Sequence, residues 1–134
     1  PFDVELKGLE NVILTPHIGG STEEAQANIG LEVAATFSKY INEGASVGAV
    51  NFPQVVLPTS AESHRILHIH KNEPGVLSEV NKIISNIGAN VLAQTLSTHK
   101  DVGYLVVDVD RQMSDQVKQE IAALPSTLKT RILY

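Results

Sequence analysis

Apolar residues recur along the chain in two rhythms, one of about four and one of two, and the switches between them set the expected elements. Val12 to Leu14 is a short apolar run ending in Thr15-Pro16-His17-Ile18-Gly19-Gly20, which reads as a strand entering a loop. Ser21-Thr22-Glu23-Glu24 follows, and a hydroxyl three residues ahead of Glu24 is the capping-box pattern, in which each side chain satisfies the other's orphan backbone donor. A helix is expected from there. Ala25, Ile29, Val33, Phe37 and Ile41 fall every fourth residue, one apolar stripe that needs a covering surface, until Gly44 ends the pattern.

From Gly44 to Ser63 the rhythm disappears, Pro53 and Pro58 deny helix, and residues 51–63 read as an interdomain linker. Regularity then returns. Arg65 to His70 is an expected strand, bounded by the turn signal Asn72-Glu73-Pro74-Gly75. Val76, Leu77, Val80, Ile83, Ile84 and Ile87 give a helix with one buried face, and Gly88 is placed as its C-cap. Leu92 to Thr98 and Tyr104 to Asp110 should form an antiparallel hairpin, the second strand alternating Leu105, Val107 and Val109 against Tyr104, Val106 and Asp108. Ser114 is the expected cap of a last helix carrying Val117, Ile121 and Leu124; Pro125 stops it, and Leu128 to Tyr134 is a final strand. The expected fold class is therefore α/β (α+β): a ferredoxin-like βαββαβ domain over 64–134, preceded by a strand-loop-helix segment within 1–50. Two helices on one sheet face should leave the other, with Tyr104 and Val106, uncovered and open to a second chain.

Charge and composition narrow the function classes. Fifteen acidic against ten basic residues give a net charge of −5, which argues against nucleic acid as partner. With 43% hydrophobic and 19% charged residues the chain has an ordinary folding composition, so wholesale disorder is excluded. No apolar run reaches the roughly 18 residues of a membrane span, so no membrane partner is expected. The absence of cysteine removes disulfides, thiol nucleophiles and thiolate zinc sites, and fits a cytoplasmic protein. Met113 is the only methionine and the chain opens at Pro1, which fits a segment of a longer polypeptide.

Three sets of residues have chemical potential. His17 lies in a loop between the expected strand and helix, where an imidazole can move a proton and paired glycines let a ligand approach the positive end of the helix; on these residues alone a turn role is the stronger reading. His68 and His70, two apart on a strand, share a face, but no cysteine or carboxylate cluster completes a metal site, and none is expected. His70, Asn72 and Asn90 end or begin strands at two loops. Asparagine amides offer both donors and acceptors, as a zwitterionic amino acid requires, although turn chemistry alone accounts for both asparagines. The sequence carries neither G-x-G-x-x-G after a strand nor a Walker motif, so it cannot build a dinucleotide site unaided.

The segment Asn11-Val12-Ile13-Leu14-Thr15-Pro16-His17-Ile18-Gly19-Gly20-Ser21-Thr22 resembles the catalytic-histidine segment of the D-isomer-specific 2-hydroxyacid dehydrogenases. His70-Lys71-Asn72-Glu73-Pro74-Gly75-Val76-Leu77 resembles the first strand and helix of an ACT regulatory domain. In this order, joined by Val50-Asn51-Phe52-Pro53 and closed by Arg131-Ile132-Leu133-Tyr134, they are similar to the phosphoglycerate-oxidising branch of that family. The resemblance implies an NAD-dependent enzyme that converts 3-phosphoglycerate to 3-phosphohydroxypyruvate in L-serine biosynthesis. It implies a homo-oligomer, a tetramer in the complete enzyme, with ACT domains paired between subunits and L-serine bound there as feedback inhibitor. It makes His17 the catalytic proton-transfer residue, and His17, Ile18, Gly19 and Gly20 the cofactor contacts at the nicotinamide end. His70 and Asn72 of one domain, with Asn90 and Val91 of its partner, become the L-serine contacts. The family's glycine-rich loop, substrate arginine and histidine-orienting glutamate have no counterpart in this sequence, so the chain alone is expected to be inactive. Ser60-Ala61-Glu62-Ser63 stands where some relatives carry a glycine pair. Two rival readings are a stand-alone amino-acid sensor and an ACT-bearing dehydrogenase with a different ligand.

Overall fold

The computed structural model describes residues 5–134, which divide into two compact units, one up to Ala34 and one from Ala35 to Tyr134. Seven elements follow in order: α1 (Glu23–Glu43), β1 (Ser63–Lys71), α2 (Val76–Ile87), β2 (Val91–His99), β3 (Val102–Asp110), α3 (Ser114–Ala122) and β4 (Thr127–Leu133). The strands form one antiparallel sheet in the order β2-β3-β1-β4, the ferredoxin-like arrangement that the βαββαβ pattern predicts.

In the first unit two local expectations are corrected. Val12 to Leu14 is not a strand: none of the described segments pairs with it, and Ile13 lies almost wholly in solvent. Apolar character cannot make a strand without a ladder to satisfy its backbone. The cap of α1 is Thr22 rather than Ser21, for the Ala25 amide donates to Thr22 Oγ1 at 3.1 Å, while the Ser21 amide closes a turn onto the Ile18 carbonyl at 2.9 Å. Glu23 and Glu24 lie in the first turn, where their charge favours the positive end of the helix. No described residue of α1 is buried, and Ile29, Val33, Phe37 and Ile41 are 45–62% exposed.

In the second unit strand alternation builds two cores. On the helix-covered face Ile66, Leu105, Val107 and Val109 pack with Val80 and Ile84 of α2 and Val117 and Ile121 of α3. Gly88 closes α2 as expected, its amide reaching back to the carbonyls of the last turn. Ser114 is not the cap of α3. Its hydroxyl donates to the Arg111 carbonyl at 3.0 Å and accepts from His64 Nδ1 at 2.7 Å, while Asp110 Oδ1 takes the Met113 amide at the helix start.

The opposite face is not open. Tyr104, Val106 and Leu67 are buried there beneath Val55, with Tyr40, Phe52 and Leu57 packed around them. The end of α1 at Tyr40 and the irregular residues 44–57 supply the cover, because single apolar side chains in an irregular segment can seal a sheet face without forming an element of their own. Residues 51–63 accordingly begin against the sheet. Gly44 makes the fold-back possible. It has φ +74°, a conformation costly for any side chain; its carbonyl accepts the Tyr104 hydroxyl at 2.7 Å, and a Cβ there would collide with Leu67.

Candidate functional site

Arg65 fastens this cover. Its Nε and Nη2 meet the two Asp108 carboxylate oxygens at 2.7 Å each, and the remaining N–H groups reach the carbonyls of Glu43, Leu57 and Pro58 at 2.7–2.8 Å. All five guanidinium donors are used in a buried setting. A cavity of about 100 Å³ beside it, lined by Asn42, Thr59, Ser60 and Ser63, therefore has no spare cationic donor at its floor.

The other cluster lies at the far end of β1. His70 is buried and its Nδ1 donates to the Lys71 carbonyl at 2.8 Å. His68, also buried, is 5.0 Å from it between ring centroids. The Thr127 hydroxyl donates to the Ile121 carbonyl at 2.7 Å and so accepts from His68 Nε2 at 2.8 Å. This fixes both tautomers and leaves His68 Nδ1 and His70 Nε2 as buried acceptors without a partner among the described residues. Burial first, and then the neighbouring His70, hold the His68 pKa down at about 4.

Asn72 follows β1 and is tied to the β2–β3 hairpin tip. Its amide Nδ2 donates to the Lys100 carbonyl at 2.8 Å and its backbone N–H to the Asp101 carbonyl at 2.8 Å. Both turn duty and a free side-chain oxygen are thus compatible in one residue. Asn90 is held by Asp110, whose Oδ2 accepts the Asn90 amide at 2.7 Å and whose own amide returns to the Asn90 carbonyl at 3.2 Å. Asp110 had no signal in the sequence beyond ending a strand; its pairing emerges only from the register.

The fold keeps the two halves of the expected amino-acid site apart. His70 faces Gly103 across the β1–β3 ladder, whereas Val91 faces Val109 across the β2–β3 ladder. That is six positions along β3, about 20 Å at the rise of an antiparallel strand. His70 with Asn72 and Asn90 with Val91 lie at opposite ends of one sheet. In the first unit His17 is exposed in a left-handed backbone conformation (φ 57°), beside the exposed Ile18. Gly19 has open space about it and Gly20 only Ile29 nearby, so these residues offer one wall and not an enclosed cofactor site. The described residues do not fit a dinucleotide by themselves, for no strand leads into α1 and no phosphate loop is formed. They contain no group of three or more metal-ligating side chains, and no helix long and apolar enough to cross a membrane.

Known proteins resemble both parts of the chain. The family profile described as AHAS small subunit-like ACT domain matches residues 66–129. D-3-phosphoglycerate dehydrogenase of Dictyostelium discoideum is 54% identical over 133 residues, covering 99% of this chain and 32% of its own length. That of Escherichia coli K12 is 48% identical over 136 residues, covering 100% of this chain and 33% of the relative, and that of Haemophilus influenzae 46% identical over 133 residues, covering 99% and 32%. The chain thus spans about a third of the length of these relatives. Among solved structures, the ACT domain from GTP pyrophosphokinase of Chlorobium tepidum matches 53% of this chain and 96% of its own, with a TM-score of 0.48 at 11% identity. By sequence and topology together, the chain is homologous to the D-3-phosphoglycerate dehydrogenases over one third of their length, and its residues 66–129 match an ACT-domain profile on the ferredoxin-like sheet.

Proposed function

We propose that the chain is the regulatory part of an NAD-dependent D-3-phosphoglycerate dehydrogenase working in the cytoplasm. In this reading its ACT domains pair between subunits and L-serine binds between them as feedback inhibitor. His70 and Asn72 of one copy and Asn90 and Val91 of the other hold the amino acid. The catalytic role belongs to the complete enzyme, where His17 moves the proton of the substrate hydroxyl and Ile18, Gly19 and Gly20 line the nicotinamide end of NAD.

The observation that carries this reading is the similarity of nearly the whole of this chain to one third of the length of D-3-phosphoglycerate dehydrogenases. The sheet geometry supports the two-chain site. β2 is an edge strand with free backbone groups and exposed Val91, Leu92 and Leu96, and Leu77 of α2 is exposed as well. Two copies related by a two-fold axis and joined antiparallel along β2 place the start of one β2 against the hairpin end of the other. The halves that one sheet separates are then neighbours across the pair. A zwitterion there meets asparagine amides, which donate and accept, and the N-terminal amides of α2 for its carboxylate.

Half-site complementation tests this arrangement. A His70→Ala/Asn72→Ala chain and an Asn90→Ala chain should each fail to bind L-serine. An equimolar mixture should recover about a quarter of the sites, since half the pairs are mixed and each has one intact site. No recovery in a mixture shown to exchange subunits contradicts a shared site, and unimpaired binding by either variant contradicts the residue assignment.

A further inference from the structure

Gly103 is the register partner of His70 across the β1–β3 ladder. A Cβ built on it would stand 2.5 Å from His70 Nε2 and 2.8 Å from Nδ1, and nearer still to Cε1. No side chain tolerates such contacts, and the obstacle is a buried ring, not the free end of a flexible chain. The backbone at Gly103 has no positive φ, so conformation does not require glycine there. Space does. The imidazole lies over β3 in the room left by the missing side chain.

Few polar restraints otherwise direct that ring. Its one hydrogen bond within the chain is Nδ1 to the adjacent Lys71 carbonyl, and its other contact of note is the His68 ring, tilted by 31°. His68 is itself anchored through Thr127 to the Ile121 carbonyl, so it forms a fixed wall on one side. The Gly103 gap is a further determinant of where the imidazole sits and which way Nε2 faces.

We infer that Gly103 is a positioning residue for the amino-acid site, acting only through the His70 imidazole. This rests on the proposed reading of that site. A side chain at Gly103 tilts the ring off its seat, so ligand affinity falls although no ligand contact is altered directly.

The test is a double-mutant cycle of wild type, Gly103→Ala, His70→Ala and the double variant in the 134-residue chain. Thermal melting, L-serine calorimetry, sedimentation and imidazole nitrogen shifts by NMR are the readouts. Gly103→Ala should lower the melting temperature by several degrees, weaken L-serine at least tenfold, shift the His70 nitrogen resonances and leave self-association unchanged. In the His70→Ala background the same substitution should cost no stability, because the space it needs is then empty. If Gly103→Ala alone does not fold, restoration of folding by adding His70→Ala is the supporting result and its failure the contradicting one. Additive stability losses overturn the inference, as does wild-type L-serine affinity in a Gly103→Ala chain; the latter leaves the effector reading intact. Absence of L-serine binding in the wild type overturns the effector reading, while the stability cycle and the nitrogen shifts still decide whether Gly103 seats the ring.

Discussion

His68 shows how a residue can be legible in type and opaque in role. Its spacing from His70 places both on one face, as observed, but only the fold reveals that its Nε2–H is committed to Thr127 and that its ring is buried in neutral form. With the folded pKa near 4 against an unfolded value of about 6.5, the unfolded state takes up the proton first as pH falls. The contribution is complete above about pH 6.5 and is lost on descending towards pH 4, a difference of roughly 3 kcal/mol. His68→Gln keeps a donor at the Nε2 position. Its urea-unfolding free energy should therefore fall less than that of wild type between pH 7 and pH 4.5, and equal falls would show that His68 does not carry the dependence. Gly103 lay beyond sequence reasoning for a related reason: what forbids its side chain is a histidine on another strand, and that meeting is created by the register.

At the scale of elements, strong periodicity specifies structure and irregular cover carries no comparable pattern. The α2 span follows directly from its apolar spacing and Gly88, and the strands of the hairpin from their alternation. Phe52, Val55 and Leu57 pack on the sheet from an irregular stretch whose apolar positions have no common period, joined by Tyr40 from the last turns of α1, so the sheet face they cover reads as open. Removing Arg65 tests how firmly this cover is held. Arg65→Ala leaves Asp108 buried and unpaired and strips partners from three carbonyls, so it should cost about 3–5 kcal/mol in denaturant unfolding. Tyr104→Phe removes one buried hydroxyl from the Gly44 carbonyl and should cost about 1–3 kcal/mol. Losses below 1 kcal/mol in both would show that the segment contributes little to the fold.

For the whole molecule, the relation between its halves matters more than either alone. In the proposed reading His70 and Asn72 need Asn90 and Val91 of a second copy, since their own chain's Asn90 and Val91 stand at the other end of the same sheet. The apolar stripe of α1 is likewise exposed in a chain that spans one third of its relatives' length. Both are explained if the chain functions paired, within a larger enzyme, and reports the level of an amino acid. Effector recognition is the central claim, and a ligand that binds only the folded state at 100 times its dissociation constant raises stability by about 2.7 kcal/mol. Thermal melting of the chain with L-serine, glycine, D-serine and L-threonine should show a dose-dependent rise with L-serine well above the others; a melting temperature indifferent to L-serine, or moved equally by all four, would rule effector recognition out.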